Sequence, residues 1–261
     1  MKKFKFFTIL AVVCVTVSAV IGGTLAYFTD DKAMTSVFTS GNVYIELSES
    51  AVKDDGHGNL VQDSTQDRII GGSLAEGTTH NYGVLFPGQT IYKDPTIKNT
   101  GDSSAWIAAK VIVTDGDGDI CHVLGDPTDP YSTIDIKLLL DGGVLGGSAN
   151  LQTWNDIEDV RVGQDGSFAI VQKANRTEGR YEFYIFMLQS VAKDDSVTLF
   201  NLMTIDPEWT GGEMQNFVDF RITVQAFAVQ TFGFNSCFDA MTEAFGSHFG
   251  GLKPAVVNPN A

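Results

Sequence analysis

Histidine is scarce in this chain of 261 residues: His57, His80, His122 and His248 stand alone, and none has a second histidine four positions on. A helical zinc protease needs two histidines at that spacing with a glutamate base between them, so the sequence offers no such site. A Gly-x-Ser-x-Gly elbow and a phosphate-cradling glycine loop are also missing, as are an LPxTG-like sorting signal and any internal repeat. Basic residues are few, 17 against 32 acidic, for a formal net charge of −15. Such an excess repels nucleic acid and anionic membrane surfaces and favours solubility and cations. Cysteine is limited to three residues, of which only Cys121 and Cys237 lie beyond the first 26 positions.

What is present begins with Met1-Lys2-Lys3-Phe4-Lys5, then an apolar run from Phe6 to Ile21, Gly22-Gly23, and small residues at Thr24 and Ala26. The order basic, apolar, small is that of a secretory signal peptide, cut between Ala26 and Tyr27. An apolar run of 16 residues falls short of the roughly 20 needed to span a bilayer, so no stable membrane anchor is expected after cleavage. Cys14 sits in mid-run after Val13, which does not fit a lipoprotein signal. Losing 26 residues that include three Lys and no acid leaves 14 basic against 32 acidic residues. In an exported chain Cys121 and Cys237 are candidates for one disulfide, although their spacing cannot show whether they meet.

Three segments are expected after the leader: an N-terminal stretch 27–41 as the candidate donor strand, a β-sandwich domain 42–250 with a polar insertion at 51–81, and a loose tail 251–261. Val43, Ile45 and Leu47 alternate with more polar neighbours, as in a half-buried strand. Further strands are predicted at 91–99, Ala105–Thr114, 134–140, 167–173, 180–189, 196–205 and 218–230. The 180–189 segment is apolar on both faces, which places it centrally in a sheet. Ser236 with Asp239 resembles a capping box, and Phe238, Met241 and Phe245 recur at helical spacing up to Gly246. A shorter helix is expected over 151–160. Many short strands, Gly and Pro turns and few helices indicate a mainly β chain: a jelly-roll-like antiparallel β-sandwich with one or two short helices. Asp115, Asp117 and Asp119, with Asp126, carry the alternating carboxylates of a calcium loop. Ile120 replaces the glycine an EF-hand needs, so a solvated acidic turn is the other reading, and no cofactor is otherwise indicated.

Three stretches together carry a resemblance. They are Gly23-Thr24-Leu25-Ala26-Tyr27-Phe28-Thr29-Asp30 with Phe38-Thr39-Ser40-Gly41-Asn42-Val43-Tyr44-Ile45-Glu46-Leu47; Pro87-Gly88, Lys93-Asp94 and Ile97-Lys98-Asn99-Thr100-Gly101 before Ala105-Trp106-Ile107; and the Phe220–Gln230 strand leading to the capped helix. The chain resembles the TasA/camelysin (CalY) family of Gram-positive bacteria, over about half its length. The resemblance implies a leader cut by a signal peptidase of SipW type and a jelly-roll subunit of biofilm-matrix fibres. It also implies a homo-oligomer in which one subunit's N-terminal segment completes its neighbour's sheet, and it leaves room for an accessory matrix protein. Carried onto this chain, the donor begins at Tyr27 and includes Phe28, Met34, Val37 and Phe38. Two alternatives stay open: a cell-surface metalloprotease, the label some relatives carry, and a surface adhesin that does not polymerise.

Overall fold

The computed structural model describes residues 29–32, 43–71, 82–83, 85–114, 140–146, 152–153, 160–162, 167–175, 180–205, 207, 221–249 and 252. The leader with its Ala26–Tyr27 bond lies outside these residues. So do Tyr27, Phe28, Met34, Val37 and Phe38 of the donor, Cys121, and Asp115, Asp117, Asp119 and Asp126.

The largest sheet has seven strands in the order β1-β16-β8-β13-β12-β11-β10. They are β1 (Thr29–Lys32), β16 (Arg221–Gln230), β8 (Ala105–Thr114), β13 (Arg180–Met187), β12 (Phe168–Asn175), β11 (Val160–Val162) and β10 (Gln152–Thr153), all antiparallel. Side-chain alternation gives this sheet two apolar faces. Ile107, Ala109, Val111 and Val113 of β8, Phe183 and Ile185 of β13, and Val224, Ala226 and Ala228 of β16 turn inward. Ala108, Tyr184, Phe186, Phe227 and Val229 turn outward into a second cluster. As its two apolar faces require, β13 is an interior strand.

Two smaller sheets cover the inner face. One orders β14 (Ser196–Thr198), β7 (Thr96–Asn99), β2 (Ile45–Glu49) and β5 (Ile69–Ile70); the other orders β3 (Val52–Asp54), β4 (Leu60–Gln62), β6 (Thr90–Tyr92), β15 (Leu202–Thr204) and β9 (Leu140–Asp141). Ile45, Leu47, Ile97, Ile91, Leu140 and Met203 from both sheets join the inner core. Fully burying each such side chain contributes about 1.5–3 kcal/mol.

The outer face is covered by a helix over Cys237–Phe245, preceded by a single helical turn at Gly143–Gly146; these are α2 and α1. Ser236 caps α2 by accepting the Asp239 N–H at 3.1 Å. Cys237, Ala240, Met241 and Phe245 form its buried face. Phe227 meets Phe245 and Phe249 edge-on, with centroids 5.2 and 5.0 Å apart. Leu252 is buried in the same cluster.

The structure corrects three strand and helix expectations and adds detail to the polar insertion, which carries β3, β4 and β5. Its Asp54-Asp55-Gly56-His57 turn is closed by the side chains of Asp54 and Asp55, which accept the Gly56 and His57 N–H groups at 2.5 and 2.7 Å. The single strands expected over 91–99 and 196–205 are each two strands in different sheets. Pro95, lacking an N–H, interrupts the first, and the second breaks opposite it, where Leu199 N–H reaches the Pro95 carbonyl at 2.9 Å. The helix expected over 151–160 is replaced at both ends by strand: Gln152 and Thr153 pair with Val162 and Arg161. The β-branched residues Thr153, Val160 and Val162 favour that outcome.

Candidate functional site: the sheet edge and the buried polar bend

β16 hydrogen-bonds to β8 along all ten residues, Arg221↔Thr114 to Gln230↔Ala105. Its other side is covered in part among the described residues. β1 pairs with it from Thr29↔Val229 to Lys32↔Ala226, and among the described residues Arg221–Gln225 have no ladder neighbour on that side. Arg221 and Thr223 there are exposed. The described part of the expected donor is therefore a four-residue edge strand opposite Ala226–Val229, and among the described residues the rest of that β16 edge has no strand beside it.

The second feature lies where the inner layer bends from one small sheet into the other, between β2 and β3 and between β6 and β7. Backbone groups lose their ladder partners at such a bend, and side chains replace them. The Ser50 N–H donates to Asp94 Oδ1 at 2.6 Å and its hydroxyl to Oδ2 at 2.9 Å. Arg68 donates through Nη1 to Asp94 Oδ2 at 2.7 Å, and through Nη2 to the carbonyls of Ser48 and Asp94, both at 3.0 Å. Beside it, Lys93 Nζ holds Glu49 Oε1 and Oε2 at 2.6 and 2.8 Å, with both side chains 7% exposed. The Tyr82 hydroxyl donates to Glu49 Oε2 at 3.0 Å, and the Lys93 ammonium lies 5.2 Å from the Tyr82 ring centre. Burial and the Glu49 charge push the Tyr82 phenol far above its usual value, so it stays protonated. This arrangement ties the polar hairpin region to the sandwich.

A third cluster stands on the outer face of the large sheet. Lys110 and Arg180 donate to Glu182 Oε1 at 3.0 and 2.7 Å, and Tyr184 donates to Oε2. Burial alone would raise the Glu182 carboxyl, but the Tyr184 hydroxyl and the Lys110 ammonium outweigh it and hold the carboxyl below the ordinary 4.5. A depressed folded-state pKa means that the stabilisation is complete above the unfolded value and is lost as pH falls through the folded one. Glu182→Gln is therefore expected to lower the unfolding temperature at pH 7. The gap to wild type should close as pH is taken below about 4.5; a gap that is constant from pH 7 to pH 3 would contradict this.

An open cleft of about 300 Å³ lies beside the Phe86-Pro87-Gly88-Gln89 turn. Gly88, at φ +77°, supplies the backbone that this type II turn requires, and Gln89 N–H closes it onto the Phe86 carbonyl at 3.0 Å. The amides lining the cleft are already used: Gln89 donates to the Gly58 carbonyl, and Asn59 accepts from Thr90 N–H. His57 is exposed and His248 packs 5.3 Å from the Phe227 ring centre. Among the described residues no group of three His, Cys, Asp or Glu could hold a metal ion.

Cys237 is a free, fully buried thiol that donates to the Ile107 carbonyl at 3.2 Å, and burial pushes its pKa far up. In mature Cys121→Ser protein it should resist a thiol reagent until denaturant is added; labelling at the native rate of an exposed thiol would show the packing to be wrong.

Sequence reasoning missed the polar bend. The sequence motifs include Lys93 and Asp94 without a role for either, and they do not reach Glu49, Arg68 or Tyr82. The available signal was charge close behind apolar strand residues, in Leu47-Ser48-Glu49 and Ile91-Tyr92-Lys93-Asp94. No family model, no curated protein and no solved structure matches the chain.

Proposed function

We propose that this chain is a secreted structural subunit of extracellular matrix or surface fibres, built on a jelly-roll-type sandwich and assembled by N-terminal strand donation once the leader is removed. The observation that carries the reading is the position of β1. It begins two residues beyond the Ala26–Tyr27 bond, pairs through its backbone with a sheet edge, and covers only four of the ten residues on that edge. A strand attached to the body only through the segment that follows it can serve its own edge or that of another copy, with backbone hydrogen bonds supplying affinity and side-chain alternation supplying register. The acidic mature chain keeps monomers soluble before they assemble. The isolated histidines give a metalloprotease reading no comparable support.

Electron microscopy of purified residues 27–261 tests the proposal. Fibres of uniform width are expected; a monodisperse monomer at all concentrations would overturn it in favour of a non-polymerising adhesin.

A further inference from the structure

The distance along the chain between the scissile bond and the first paired residue has a consequence for maturation, resting on the leader reading above. Thr29 is already opposed to Val229 in the sheet. Between it and the Ala26–Tyr27 bond stand only Tyr27 and Phe28, which can span about 7 Å at most. A peptidase takes the residues on both sides of its bond as an extended strand and pairs with their backbone N–H and C=O groups. The peptidase cleft thus needs the chain just after the cut, while the β16 edge holds it from Thr29 onward. The body of the domain adds a steric term. The register puts the turn that follows β16 at the end of the sheet where β1 begins, and Phe232 in that turn is 86% exposed.

We propose that docking of β1 on β16 and cleavage of the Ala26–Tyr27 bond exclude one another. A copy that is cut first is released with a free strand. A copy whose β1 docks first pairs with its own β16, hides the bond and stays tethered by its leader. Folding at this one edge then decides between a released subunit and a retained one.

The test uses the full-length precursor in detergent micelles with purified signal peptidase. Thr29→Cys and Val229→Cys, directly opposed, lock β1 when oxidised, in a chain whose Cys14 and Cys121 are changed to Ser. The oxidised precursor should remain uncut, and reductant should restore cleavage after Ala26, while the precursor without the new pair is cut alike with and without reductant. A second variant, Asp30→Pro with Asp31→Pro, removes donors from the short strand and should be cut faster than the unchanged folded precursor. Equal cutting of the oxidised and reduced forms, or no acceleration by the prolines, overturns the exclusion. Failure of the reduced form to be cut after Ala26, by N-terminal sequencing, overturns the leader reading itself and the exclusion with it.

Discussion

Mature protein beginning at Asn42 is expected to form no fibres while keeping its fold. The truncation removes β1, whose only ladder partner among the described residues is β16, and β16 remains bonded to β8 along its whole length. The inner core loses nothing from the other six strands of the large sheet, and α2 still covers the outer face through Phe227 and Val229. What disappears is the strand that one copy could give to the next. The truncated protein should therefore show an unchanged far-ultraviolet circular dichroism spectrum and a cooperative thermal transition, yet sediment as a monomer. Fibres from this truncated chain would remove strand donation from the account even if assembly itself survived.

The second large effect is on stability. Lys93→Met leaves the Glu49 carboxylate buried with only the Tyr82 hydroxyl of the contacts described above. Removing one partner of a buried pair costs about 3–5 kcal/mol, because the remaining charge is left without compensation in a poorly polarisable site. For a chain of this size that is roughly 6–20 °C in unfolding temperature. The paired variant Lys93→Met with Glu49→Leu should recover most of the loss, since two apolar side chains of similar volume need no charge balance. A single variant within about 1 °C of wild type would show that the pair is not buried as described.

The sequence and the structure agree where one physical signal dominates. Ala105–Thr114 forms β8 over the expected bounds because β-branched residues and alternation point the same way. Ser236 and the spacing of Met241 and Phe245 specify α2 locally. Agreement fails where tertiary context decides. Pro95 marks a local break in Thr90–Asn99, but nothing local shows that the strand bends there from one sheet into another; the bend is fixed by Arg68, Ser50 and Glu49, which bond to Asp94 and Lys93 from 26 to 44 positions away. The hairpin in the polar insertion is similar, since Lys53, Asp54 and Gln62 carry little apolar signal and depend on partners elsewhere. As for the assembly edge, residues 27–41 could be singled out from the leader and the resemblance, whereas the acceptor, the β16 edge, became visible only with the sheet order.

The central claim concerns a strand passed between copies, and cross-linking in trans tests it most directly. Mature Thr29→Cys protein is mixed with mature Val229→Cys protein, both with Cys121 changed to Ser, under assembly conditions and then oxidised. The two positions oppose one another across β1 and β16, so a donated strand in that register brings them together between different molecules. The account predicts a disulfide-linked mixed dimer on a non-reducing gel, absent when either variant lacks residues 27–41. Fibres that form in the mixture without any such cross-link would contradict it.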